Sequence, residues 1–70
     1  MKKIVILGGG ESGVGAAVLA KKQGFDVFVS DASGIKQKYR EVLQKYAIRW
    51  EEGTHTYSEI MDATEVIKSP

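Results

Sequence analysis

Seventy residues, 7.7 kDa, 43% hydrophobic and 27% charged, describe one small globular domain and argue against disorder. Ten basic and nine acidic residues leave a net charge of +1, which excludes a basic nucleic-acid footprint or a polybasic membrane patch. The chain has no cysteine, so disulfides and thiolate metal sites are excluded and a reducing cytoplasm is the expected setting.

The chain reads as strands alternating with helices. Ile4-Val5-Ile6-Leu7 is apolar and rich in β-branched residues, which suits a strand covered on both faces. The run is too short for a membrane span or a signal-peptide core. Glycines 8 to 10 end it, and a helix is expected from Gly13 to Gln23. Val14, Ala17, Val18 and Leu19 are its candidate packing residues. Lys21 and Lys22 complement the dipole of its last turn, and Gly24 is placed to terminate it.

A second strand is expected over Asp26 to Ser30, followed by a loop through Asp31-Ala32-Ser33-Gly34. Ile35, Tyr39, Val42, Leu43 and Tyr46 share one face of a second helix, with Ser33 or Gly34 as its cap. A weaker third strand spans Ala47 to Glu51. Thr56 and Glu59 fit a capping box, so a short helix is expected from Tyr57 to Asp62. Glu65 to Lys68 is the fourth strand, and Ser69-Pro70 closes the sequence. The order βαβαβαβ implies an α/β, Rossmann-like parallel sheet with strand order 3-2-1-4. A sheet ending directly after its fourth strand points to a fragment of a longer protein, short of a further strand.

The sharpest chemical signal is Gly8-Gly9-Gly10-Glu11-Ser12-Gly13, a G-x-G-x-x-G pattern between strand and helix. Gly8 permits the turn out of the strand. Gly10 lets a phosphate approach the backbone. Gly13 lets helix and strand pack closely, and Gly15 is expected to extend that packing by a turn. Unpaired N–H groups at the helix start attract a diphosphate, and Ser12 adds a hydroxyl. Glu11 is expected to offer its N–H and turn its carboxylate to solvent. Asp31, about 20 residues on, is placed to accept hydrogen bonds from a ribose. His55 reads as a turn residue, Glu51 and Glu52 as solvated, and Trp50, Tyr39 and Tyr46 as packing residues. No catalytic set, metal site or ATP phosphate loop is visible. A nicotinamide or flavin dinucleotide domain of an oxidoreductase or regulator fits the glycine loop and Asp31 equally well, and a packing module without a ligand is a third reading.

Three features together narrow these readings: Lys3 through Gly13, Val29-Ser30-Asp31, and the ending Val66-Ile67-Lys68-Ser69-Pro70. With them the whole chain resembles the N-terminal domain of the Mur ligases of peptidoglycan synthesis, most of all the branch that adds D-glutamate. The resemblance implies a Rossmann-like domain that binds the UDP part of a UDP-linked muramoyl peptide. It implies that the amides of Glu11 and Ser12 hold the diphosphate. Asp31, Ala32 and Ser33 would surround the uracil and ribose, and Ser69-Pro70 would border the pocket. The family's reaction is ATP-dependent: a substrate carboxylate is phosphorylated and an amine attacks the acyl phosphate. ATP, Mg2+ and the amino acid would be held by the central and C-terminal domains of the same chain. The fragment alone would need no cofactor and be inactive.

Overall fold

The computed structural model describes residues 2–69. Four strands, β1 (Lys3–Leu7), β2 (Asp26–Asp31), β3 (Arg49–Glu52) and β4 (Glu65–Lys68), alternate with helices α1 (Glu11–Lys22), α2 (Gln37–Lys45) and α3 (Tyr57–Met61). The strands form one parallel sheet in the order β3-β2-β1-β4, as the sequence implied. Val5 pairs with Phe28 on one side and Val66 on the other, at the centre of the sheet.

Side chains alternate across a strand, so each strand serves two layers. Ile4, Ile6, Val27 and Val29 face α1 and α2, and form the core with Val14, Ala17, Ala20, Ile35, Leu43 and Ile48. Tyr39, Tyr46 and Trp50 pack around it. Helix α1 buries Gly13, Val14, Ala17 and Ala20, small residues that let it sit close to the sheet. Leu19 is exposed, contrary to the sequence reading, because it lies on the opposite side of the helix from Ala17.

The other face is held differently. Phe28 lies beneath two cations, with Arg49 at 5.0 Å and Lys3 at 6.0 Å from its ring. Lys3 Nζ meets Glu59 Oε1 at 2.6 Å, and Arg49 reaches the same oxygen at 3.5 Å. Helix α3 has no buried residue and is tied to the sheet through these ion pairs. The expected capping box does not form for the same reason: Glu59 is engaged by Lys3, and the Thr56 side chain makes no cap bond to α3.

Both long helices end in a Schellman motif. In α1 the Phe25 N–H reaches Ala20 O and the Gly24 N–H reaches Lys21 O. In α2 the Ile48 N–H reaches Leu43 O and the Ala47 N–H reaches Gln44 O, which places Ala47 at φ +57°. Ala47 is therefore the left-handed turn residue and not the first residue of β3, which begins at Arg49.

Candidate ligand-binding shelf at the strand ends

Parallel strands bring their C-terminal ends to one edge, and the residues singled out in the sequence meet there. The Gly8 N–H donates to Ser30 O at 2.8 Å, carrying the β1–β2 ladder into the turn. Gly8 has φ +117°, and a Cβ there would stand 2.8 Å from Ser69 Cβ. At Gly13 a Cβ would stand 1.9 Å from Gly8 O, so the glycine is required for α1 to start against the strand. A Cβ at Gly10 would meet no protein atom within 4 Å. The space over Gly10 is open to whatever approaches from outside. The same is true at Gly15, so Gly15 does not extend the close packing as expected; it lies on the exposed side of α1.

Gly10 is the N-cap of α1 and offers no side chain, while its carbonyl accepts the Val14 N–H at 2.9 Å. The N–H groups of Glu11, Ser12 and Gly13 belong to the first turn, where no carbonyl of the helix lies ahead of them. The Glu11 residue is exposed. Ser12 Oγ and Ser69 Oγ lie 2.7 Å apart, and the Ser69 N–H donates to Leu7 O at 2.8 Å. Ser69 thus borders the glycine loop. Pro70 lies outside the described residues.

Asp31 forms the other wall. Its Oδ2 accepts the Gly9 N–H at 2.7 Å, and its Oδ1 accepts the Ser33 N–H at 2.8 Å. Each oxygen keeps one lone pair for a further donor. Ala32 and Ser33 are exposed beside it. The Ser33 N–H closes an Asx turn on Asp31, and neither Ser33 nor Gly34 caps α2, because the helix starts only at Gln37. The N-cap of α2 is Lys36, with no side-chain bond. Ile35 is outside the helix and buried against Gly9, where a Cβ would come within 2.6 Å of Ile35 Cγ1. Gly9 is a position that motif reading passes over, since the pattern leaves its second place free.

The two glutamates of β3 are not merely solvated. Glu52 Oε2 accepts the Ile35 N–H at 2.7 Å, and Arg40 donates to Oε1 at 3.1 Å. The Ile35 amide, with help from Arg40 and against both burial and the nearby Asp31 charge, holds the Glu52 carboxyl below its ordinary value. On the opposite face, Glu51 accepts from the Thr56 N–H at 2.6 Å, the Thr56 hydroxyl and the Ser30 hydroxyl. Burial pulls the Glu51 carboxyl upward, yet the Thr56 and Ser30 bonds and the nearby His55 bring it below the usual range. His55 Nδ1 lies 2.5 Å from the Ser30 hydroxyl, which is fully buried, so His55 is a turn residue anchored to the sheet. Nothing local in the sequence marks Ser30 as the hub of this cluster.

The shelf is open, with no enclosed cavity among the described residues. It presents helix-start amides, two hydroxyls and a carboxylate, a set that suits an anion joined to a hydroxyl-bearing group. No three His, Asp or Glu side chains among the described residues are grouped to hold a metal ion.

The parallel sheet of order β3-β2-β1-β4 with its interleaved helices defines an α/β domain of the Rossmann-like class. The chain belongs to the MurD N-terminal domain family, whose model matches residues 3–70. It is similar over its whole length to proteins named UDP-N-acetylmuramoylalanine--D-glutamate ligase, at 63% identity in Bacteroides fragilis and 64% in Bacteroides thetaiotaomicron. The match to the ligase of that name in Chlorobium phaeobacteroides is 35% over 69 residues, 99% of this chain. The chain spans about 16% of the length of the Bacteroides relatives and about 15% of the Chlorobium one.

Proposed function

We propose that this chain is the UDP-binding N-terminal domain of an ATP-dependent ligase that joins D-glutamate to UDP-N-acetylmuramoyl-L-alanine, in the cytoplasm, during peptidoglycan synthesis. The observation that carries the reading is the open helix start over Gly10, set beside Asp31 and Ser69, in a chain whose relatives bear that ligase name. In this reading the N–H groups of Glu11 and Ser12 take the diphosphate, aided by the α1 dipole. The nucleoside lies across Asp31, Ala32 and Ser33. Asp31 accepts from ribose or base with its remaining lone pairs, and Ser12 and Ser69 supply hydroxyls at the phosphate end.

The residues present do not fit ATP with Mg2+. The loop lacks the lysine and following hydroxyl of an ATP phosphate loop, and among the described residues no acidic cluster stands by it. Acyl-phosphate chemistry therefore falls to the remaining domains of the protein, and this chain contributes binding and orientation of one substrate. A dinucleotide oxidoreductase has no support among the relatives compared.

The test is ATP turnover by the full-length protein that carries this chain. Phosphate release is expected only when UDP-N-acetylmuramoyl-L-alanine and D-glutamate are both present. Turnover that ignores the UDP-linked substrate would overturn the assignment.

A further inference from the structure

Resting on the UDP-binding reading, we propose that Glu52 is a positioning residue for the nucleoside half of the shelf, acting through the Ile35 amide and clamped by Arg40. The segment between β2 and α2 has no regular structure, and its residues 32 to 34 are exposed. It is pinned at two points. At its start, Asp31 Oδ1 takes the Ser33 N–H. At its end, Glu52 Oε2 takes the Ile35 N–H at 2.7 Å. Arg40 approaches the other Glu52 oxygen at 3.1 Å and is itself held by Gln37 Oε1 at 2.5 Å.

The clamp matters because of what Ile35 touches. Its side chain is buried and fills the space beside Gly9, whose own N–H is bound to Asp31. A displaced Ile35 would release the Ala32–Gly34 loop from the side on which the nucleoside lies. A carboxylate is the strongest acceptor available for such an amide, and it also answers Arg40. Glu52 touches none of Gly10 to Gly13, so the diphosphate amides keep their places without it.

The test compares UDP with inorganic pyrophosphate by amide-resolved NMR titration. Glu52→Ala is expected to raise the UDP Kd about tenfold. The pyrophosphate Kd should stay within about twofold, because the α1 start is untouched. The Ile35 amide proton should move upfield as its charged acceptor is lost. Glu52→Gln keeps an acceptor oxygen and should restore most of the UDP affinity. Unchanged UDP affinity in Glu52→Ala would overturn the proposal, as would an equal loss for both ligands. If the Val5, Ile6 and Val29 amides show that Glu52→Ala has lost the fold, Arg40→Ala decides on the same ratio. A parent protein that binds no UDP at all would overturn the functional reading itself. That outcome is distinct from a parent that binds and a Glu52 variant that binds equally well.

Discussion

Gly13 and Gly15 stand two residues apart on α1 and are expected to respond to alanine with opposite signs. A Cβ at Gly13 would sit 1.9 Å from Gly8 O, and Cβ contacts under 3.0 Å essentially do not occur. The start of α1 must therefore retreat by about 1 Å from a backbone atom, where no side-chain rotamer can absorb the move. Overpacking of this kind costs about 1–3 kcal/mol, and contact with backbone puts Gly13→Ala near the upper end. A 70-residue domain has on the order of 4–10 kcal/mol of total stability. At roughly 4–8 °C per kcal/mol for a domain of this size, the loss is about 12–24 °C in Tm. At Gly15 a Cβ meets nothing within 4 Å, and the helix conformation suits alanine. Gly15→Ala should stabilise by about 0.4–1 kcal/mol, mainly by restricting the unfolded chain. Thermal and guanidinium unfolding followed by circular dichroism reads both. A Gly13→Ala protein within about 0.5 kcal/mol of the parent would refute the packing argument, as would a Gly15→Ala protein that falls as far.

Gly10→Val is expected to leave Tm within a few degrees of the parent, since nothing in the protein contacts that space and φ −86° suits an L-residue. UDP binding should be abolished, and calorimetry showing retained affinity would remove Gly10 from the site. Acid should weaken the fold through Glu51, Glu52 and Glu59. Lys3 hydrogen-bonds Glu59 and lowers it, and the bonds described above lower the other two. Carboxyls depressed in the folded state add stability that is complete above their ordinary value of 4.5 and is lost as the pH falls through the lowered values. The urea midpoint should hold from pH 7 to about 5 and fall below that, with Glu59→Gln flattening the drop. A midpoint indifferent to acid would contradict these pairings.

The alternation of elements and the strand order were legible because each depends on local pattern. β1 is apolar throughout, α2 carries its apolar residues at helical spacing, and right-handed crossovers leave few ways to arrange the result. Gly8 and Gly13 could be read for the same reason, since the motif states a short-range backbone need. What escaped notice depends on partners far along the chain. Glu59 looks like a capping residue until β1 brings Lys3, 56 positions away, against it. Ile35 fits the helical face of α2 by spacing, yet Glu52, 17 positions on, takes its amide and holds it out of the helix. Gly15 looks like a packing glycine because Gly13, two residues before it, is one. Its place on the helix turns it to solvent, and only the direction of α1 over the sheet decides that. Asp31 was visible as a polar group at a strand end, while its bond to Gly9 requires the loop's shape.

The claim on which the rest depends is that a nucleoside diphosphate sits on this shelf. An amide-resolved NMR titration with UDP, and in parallel with NAD, tests it directly. The account predicts shifts with UDP that saturate and centre on Gly10 to Gly13, Asp31 to Ser33 and Ser69, with no such set for NAD. Shifts with NAD in place of UDP would contradict it and make this a dinucleotide site. A folded spectrum unmoved by either ligand would contradict it too, and leave the glycine loop a packing device.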